Sequence, residues 1–240
     1  MNIALIFAGG SGVRMNSRTK PKQFLALHGK EIIVYTLEIF QEHPEIDKIL
    51  LVCVDDWVEY METLIIKYNL TKVMDIIPGG SSTQDSQYKG IDYLVNHHTP
   101  EDAVVLIHDG VRPLVDMDTI SRNIASVKKY GSAVTVTPAI ETIVYVNDDD
   151  EMNQIVDRKK CRMAKAPQSY RFGDIYAVHL KALNEGKTDF IDSACMMQYY
   201  GREVHTVEGN TENIKITTPI DFYLFRAIVD ARENSQIWGI

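Results

Sequence analysis

The chain is poor in cysteine: Cys53, Cys161 and Cys195 are the only three in 240 residues, widely spaced and with no Cys-x-x-Cys pair. That excludes a disulfide framework and a structural zinc site, and leaves buried free thiols as the expectation. Excess positive charge is missing too, since 25 Lys and Arg stand against 33 Asp and Glu for a formal charge of -8. Phosphate backbones are gripped by clustered surplus cations, so no nucleic-acid partner is expected. No apolar run approaches the roughly 20 residues of a membrane span, and the first residues enter a strand with no leader pattern before it. The expected setting is soluble, reducing and cytoplasmic, with no membrane partner. The seven histidines lack metal-ligand spacing, and neither a Gly-x-Ser-x-Gly elbow nor a Cys-centred nucleophile occurs. Repeats and linkers are also absent, so residues 1–240 read as a single domain.

What is present begins at the amino terminus. The apolar run Ile3 to Phe7 breaks into Ala8-Gly9-Gly10-Ser11-Gly12-Val13-Arg14-Met15, and Pro21-Lys22-Gln23 follows at short range. A strand that opens into a glycine-rich turn and then meets fixed positive charge suits a polyphosphate. The glycines let backbone N–H groups approach phosphate oxygens, while Arg14 and Lys22 offset charge on a triphosphate. A dinucleotide fingerprint would need a glycine where Arg14 stands, and a Walker A loop would need Gly-Lys-Ser/Thr, which Gly29-Lys30-Glu31 does not supply. A bare strand-to-helix turn with surface cations is the plainer alternative.

Short Val- and Ile-rich runs near Ile3 to Phe7, Lys48 to Val54, Val73 to Pro78 and Ala103 to His108 read as buried strands. Between them lie segments of helical period, such as Ile33, Leu37 and Phe40, or Ile120, Ile124 and Val127 before Lys128-Lys129 and Gly131. The alternation predicts a Rossmann-like α/β fold, a mainly parallel sheet with helices on both faces and ligands at the carboxyl ends of the strands. From about Ala139 to Pro167 the rhythm breaks into two alternating runs around Asp148-Asp149-Asp150-Glu151, which predicts a protruding β-hairpin arm. Such an arm exposes edges and apolar side chains that suit a second subunit, so a homodimer is expected. Thr218-Pro219-Ile220-Asp221 has the order of a cap hydroxyl, an N1 proline and an N3 carboxylate, starting the last helix.

Three further segments can carry chemistry. In Ile107-His108-Asp109-Gly110-Val111-Arg112-Pro113, Asp109 can hold Mg²⁺ against phosphate oxygens and Arg112 can bind a second phosphate; a simple loop ion pair is the alternative. Gly79-Gly80-Ser81-Ser82, with Ser86, is either a serine-capped turn or a wall for a base and ribose. Asn213 to Thr217 reads as a strand bringing Lys215 to the same sheet edge, or as a strand with an exposed lysine. His108 is expected to pack in the core.

Together these segments resemble the CTP-dependent cytidylyltransferases that act on 2-C-methylerythritol 4-phosphate or ribitol 5-phosphate. The resemblance covers nearly the whole chain, through the glycine loop, Pro21-Lys22-Gln23, Gly79-Gly80, His108-Asp109-x-x-Arg112-Pro113, Pro167-Gln168 and Asn213-Ile214-Lys215-x-Thr217. It implies that Ala8, Gly9, Gly10 and Gly12 bind the triphosphate, that Gly80, Ser81 and Ser86 lie by the cytidine, and that Asp109 lies by the metal. Arg14, Lys22 and Lys215 would be catalytic. Arg112, with Thr142 and Arg158 carried across the dimer by the arm, would meet the acceptor phosphate. The implied reaction moves CMP from CTP to a polyol phosphate, giving a CDP-polyol and pyrophosphate, with Mg²⁺ as cofactor. Thr83 stands where the family commonly has arginine, and Ala166 where it usually has threonine.

Val156-Asp157-Arg158 looks like the methylerythritol branch, which serves isoprenoid precursor synthesis. Ser193-Ala194-Cys195 and Thr217-Thr218-Pro219 look like the ribitol branch, which serves a surface polymer. The reading leans to ribitol 5-phosphate or a similar acceptor. Its rivals are the methylerythritol enzyme, a non-catalytic nucleotide-binding regulator, and an NAD-dependent oxidoreductase, which the missing loop glycine disfavours.

Overall fold

The computed structural model describes residues 1–9 and 20–238. Gly10, Gly12 and Arg14, all assigned above to the nucleotide, lie outside them.

The first strand, β1 (Asn2–Ala8), is an interior strand of the main sheet. It is apolar on both faces, as a strand covered on two sides must be. Ile3 and Leu5 point into one core layer and Ala4 and Ile6 into the other. Beside it run β4 (Lys48–Cys53) and β6 (Val104–Asp109), both parallel, with β5 (Val73–Pro78) beyond β4. On the other side β10 (Arg162–Arg171) pairs antiparallel with β6 and with β7 (Ser132–Pro138), and β11 (Thr206–Glu208) closes the edge parallel to β7. The seven-stranded order is β11-β7-β10-β6-β1-β4-β5. A two-residue ribbon, β2 (Ala26–Leu27) with β3 (Lys30–Glu31), stands apart.

The helices α1 (Ile32–Glu42), α2 (Val58–Lys67) and α4 (Met117–Tyr130) cover one face, through Ile33, Leu37, Phe40, Met61, Ile120 and Val127. On the opposite face lie α3 (Thr83–Asn96), α5 (Phe172–Asn184) and α6 (Ser193–Tyr199). A third apolar cluster, including Val111, Ile216 and Phe225, docks the last helix α7 (Pro219–Trp238) at the carboxyl edge of the sheet. Its start follows the expected cap. The Asp221 carboxylate accepts from the backbone of Thr217 and Thr218 and from the Thr218 hydroxyl, with Pro219 as the first helical residue. Helix α4 ends at Gly131, whose φ of 88° is the left-handed C-cap that glycine tolerates best.

Four expectations are revised. The strand β5 is half-exposed because it forms the sheet edge. Residues 213–217 form an irregular segment tied to the sheet by Ile216 N–H to the Val111 carbonyl, with no strand ladder. The hairpin is present as β8 (Val144–Val146) and β9 (Met152–Ile155), around a turn in which the Asn147 side chain accepts from Asp149 and Glu151. The boundary at 167 is too late, however, since Arg162, Met163 and Ala164 pair with Pro138, Thr137 and Val136 inside the main sheet, and the arm is residues 139–161. Of the thiols, Cys53 alone is buried; Cys161 is half-exposed and Cys195 exposed. Among the described residues, no helix is long and apolar enough to cross a membrane.

His108 and His179 are buried, and burial lowers both pKa values to about 4. Neither His108 Nδ1 nor His179 Nε2 has a hydrogen-bond partner among the described residues. The unfolded chain takes up these protons near the ordinary 6.5, whereas the folded chain resists to about 4. Stability is therefore fully present above the ordinary value and is lost as pH falls through the window between the two. A loss of the order of 2 kcal/mol per histidine is expected at about pH 5. The melting temperature should accordingly fall between about pH 7 and pH 5, and replacing both histidines with isosteric neutral residues should flatten that slope.

Candidate active site

Because β1, β4, β5 and β6 run parallel and in register, their carboxyl ends form one row: Phe7 opposite Asp109, Ala8 opposite Cys53, Cys53 opposite Pro78. Each strand then opens into one of the segments singled out by sequence, as parallel sheets place their ligand-binding loops. After β1, the Gln23 side chain donates to the Ala8 carbonyl at 2.5 Å, fixing the single 3-10 turn Lys22–Phe24 against the strand end. Lys22 is largely buried there; burial pushes the Asp221 carboxyl up, but the backbone and hydroxyl donors of Thr217 and Thr218, with a last contribution from the Lys22 charge, hold it below its ordinary value. After β5, Gly80 N–H donates to the Ser86 hydroxyl at 2.9 Å, and Ser81 donates through N–H and hydroxyl to Asp85. Ser82 caps α3 by accepting from Asp85 N–H. The serine-capped turn is thus formed, whichever ligand its outer side meets.

After β6 comes the charge centre. Asp109 accepts from Lys215 Nζ at 2.7 Å on one carboxylate oxygen and from Arg112 Nε at 2.8 Å on the other. Arg112 also donates to the Asn213 carbonyl at 3.1 Å. Partial burial pushes the Asp109 pKa up, but the charges and hydrogen bonds of Lys215 and Arg112 outweigh it and hold the carboxyl well below the usual range. Asp109 stays ionised throughout the physiological range. His108 turns inward, its Nε2 3.3 Å from the Arg112 carbonyl and its ring against Phe40, which is the core role expected of it.

Two hollows meet at this pair. One, of about 340 Å³, is lined by Ala8, Gly9, Lys22, Gly80, Ser81 and Ser86 together with Asp109 and Lys215. The other, of about 200 Å³, is lined by Arg112, Lys165, Gln168 and Asp192, again with Asp109 and Lys215. Phe7 and Thr83 also border both, so the Asp109–Lys215 pair stands at their junction. A larger hollow of about 840 Å³ lies at the amino edge of the sheet, beside α5, and contains none of these residues.

Eight of the residues assigned from sequence therefore converge on the larger of the two hollows that meet at Asp109, and Arg112 joins them through the smaller. Thr142 and Arg158 do not. Thr142 is exposed on the arm, and Arg158 donates to the Ile140 carbonyl at 2.7 Å, within the arm itself. Neither lines either of these two hollows. Lys165 and Asp192 were missed. Lys165 was hidden by its placement in the arm, whereas Asp192 carried the readable signal of an N-cap, accepting from Cys195 N–H.

A family model for 2-C-methyl-D-erythritol 4-phosphate cytidylyltransferase (IspD) matches residues 2–231. The chain belongs to this family. Within the family its relatives divide by name. A ribitol-5-phosphate cytidylyltransferase of Streptococcus agalactiae serotype III is 53% identical over 240 residues, covering 100% of both chains, and one of Vibrio parahaemolyticus is 48% identical over 239. A 2-C-methyl-D-erythritol 4-phosphate cytidylyltransferase of Clostridium acetobutylicum is 35% identical, covering 98% of this chain and 99% of its own. The solved 4-diphosphocytidyl-2C-methyl-D-erythritol synthase of Anaerococcus prevotii superposes with a TM-score of 0.84 at 26% identity, covering 96% of each chain. The fold expected from sequence is thus an IspD-type α/β fold.

A Cβ on Gly80 would collide with the Asp85 side chain, including its Cβ at 2.8 Å, so the rim at Ser81 could not keep its form. Gly80→Ala is expected to weaken CTP binding about 10-fold in calorimetric titration, with the melting temperature shifted by less than about 3 °C. Unchanged CTP affinity would remove Gly80 from the nucleotide wall.

Proposed function

We propose that the chain transfers CMP from CTP to ribitol 5-phosphate, releasing pyrophosphate and forming CDP-ribitol. One observation carries this reading: two hollows of complementary character meet at one charge centre, in a chain 53% identical end to end to a ribitol-5-phosphate cytidylyltransferase. The larger hollow, with its glycine edge and Lys22, takes CTP. The smaller, with Arg112 and Lys215, takes the acceptor phosphate.

In the reaction an acceptor phosphate oxygen attacks the α-phosphorus of CTP, and the bond to the β-phosphate oxygen breaks as pyrophosphate leaves. Both reactants are anions, so the protein's task is to hold them in line against their repulsion and to neutralise charge gathering on the α-phosphate. Lys22 faces the CTP side, and Arg14 is assigned beside it from the sequence motif. Lys215, fixed by Asp109 at the junction, faces both reactants.

Asp109 also suits Mg²⁺: one carboxylate on the cleft, each of its oxygens accepting, among the described residues, a single hydrogen bond and so keeping a lone pair for an ion. With the triphosphate bound, the ion would neutralise phosphate charge, its other ligands being phosphate oxygens and water.

The arm supports a homodimer. Val144, Tyr145, Val146, Met152 and Ile155 are all exposed on it, a concentration of apolar surface that a second copy would cover. Thr142 and Arg158 would then reach the acceptor in the partner's site, beside its Lys215. A CTP-consuming step of this kind belongs in the cytoplasm, where nucleoside triphosphates are held.

Pyrophosphate release with CTP should show kcat/KM for ribitol 5-phosphate at least about 10-fold above that for 2-C-methylerythritol 4-phosphate; the reverse order would assign the chain to the isoprenoid branch, and no release with any polyol phosphate would leave only nucleotide binding. Lys22→Ala and Arg158→Ala, each inactive alone, should on mixing regain about a quarter of wild-type activity, because half the dimers then hold one intact site. No recovery after verified subunit exchange would confine Arg158 to its own chain.

A further inference from the structure

The smaller hollow contains a third cation that the mechanism above leaves unused. Lys165 lies where the pairing of β10 with β7 slips between Ala164 and Gln168, and bulges of this kind re-aim side chains beside sites. Its half-buried side chain donates to the carbonyls of Thr211 and Asn213, each at 3.1 Å. Among the described residues no carboxylate lies within ion-pair distance of it. The available acids are committed elsewhere. Asp109 is shared between Arg112 and Lys215, and Asp192 accepts from Cys195 N–H at 2.8 Å and from Gln168 at 2.9 Å. Arg112 shares the Asn213 carbonyl with Lys165, so two like charges are held close together. Burial first, and Arg112 second, push the Lys165 pKa down. An ammonium in this position is stabilised by an anion entering the hollow.

Resting on the reading above, we infer that Lys165 binds the acceptor phosphate directly, bracketing it with Arg112 from the β10 side of the smaller hollow. The acceptor phosphate carries its charge both before and during attack. Lys165 therefore sets acceptor affinity and contributes little to the chemical step. Its place on the acceptor side also separates it from the CTP phosphates, which face Lys22 in the larger hollow.

Steady-state kinetics of Lys165→Gln and Lys165→Arg, with wild type alongside, test this. The glutamine variant should raise KM for ribitol 5-phosphate about 10- to 100-fold, with kcat lowered less than about threefold and KM for CTP within about twofold. The arginine variant should return the acceptor KM to within about threefold of wild type, because it keeps the charge. The acceptor KM should also rise less steeply with salt in Lys165→Gln than in wild type, which a residue that merely holds the 211–213 segment would not produce. An unchanged acceptor KM in the glutamine variant, or equal losses in kcat and CTP KM in both variants, would overturn the assignment while wild-type turnover keeps the functional reading. If Lys165→Gln does not fold, the charge-keeping arginine variant decides: an acceptor KM raised more than about 10-fold in it counts against the inference. Wild type that releases no pyrophosphate with ribitol 5-phosphate would remove both readings.

Discussion

The candidate active site depends on one carboxylate held between two cations. Asp109 ends the strand β6, and its two oxygens accept from Arg112, three residues on, and from Lys215, more than a hundred residues away. The segment that carries Lys215 is anchored at Asn213, which donates to the Ala166 carbonyl, and at Ile216, whose N–H donates to the Val111 carbonyl; without that carboxylate the half-exposed Lys215 ammonium between them would lose its ionic partner. With it, the segment is held to the sheet edge at the place where the β1 turn and the Gly79-Gly80 turn also open. Removing the carboxylate would leave two nearby cations uncompensated, which costs more than the pair itself contributes.

This arrangement explains how an acidic protein handles two polyanions. The net charge of -8 is spread over the surface, while Lys22, Arg112, Lys165 and Lys215 gather around the two hollows. A recessed cleft strengthens such local charge relative to the distant surface, which salt screens. The sheet supplies the rest: parallel register aligns the strand ends to within a residue, and both of its faces are packed with apolar side chains that keep them there.

Much of this was legible in the sequence because the signals are local. The β1 run into glycines, the apolar helix faces at Ile33 and Ile120, and the Thr218-Pro219-Asp221 cap each declare themselves within a few residues. What was not legible depends on pairing across the chain. Nothing local says that Arg162 to Ala164 leave the arm and join β7, so Lys165 was assigned to the wrong element and its place in the site was hidden. Asn213 to Thr217 has the residues of a strand but joins no ladder; its backbone tie to the site is Ile216 N–H to the Val111 carbonyl. The Asp109–Arg112 ion pair is the loop pair offered as an alternative reading, but the sharing of that carboxylate with Lys215 could not be read, since it joins segments that only the fold brings together.

The central claim is that Asp109 and Lys215 work as one unit. A double-mutant cycle on kcat/KM with Asp109→Asn, Lys215→Met and the double variant tests it most directly. If they act as a unit, the double variant falls no more than about threefold below the worse single variant. Losses that multiply would show instead that the carboxylate and the ammonium contribute independently.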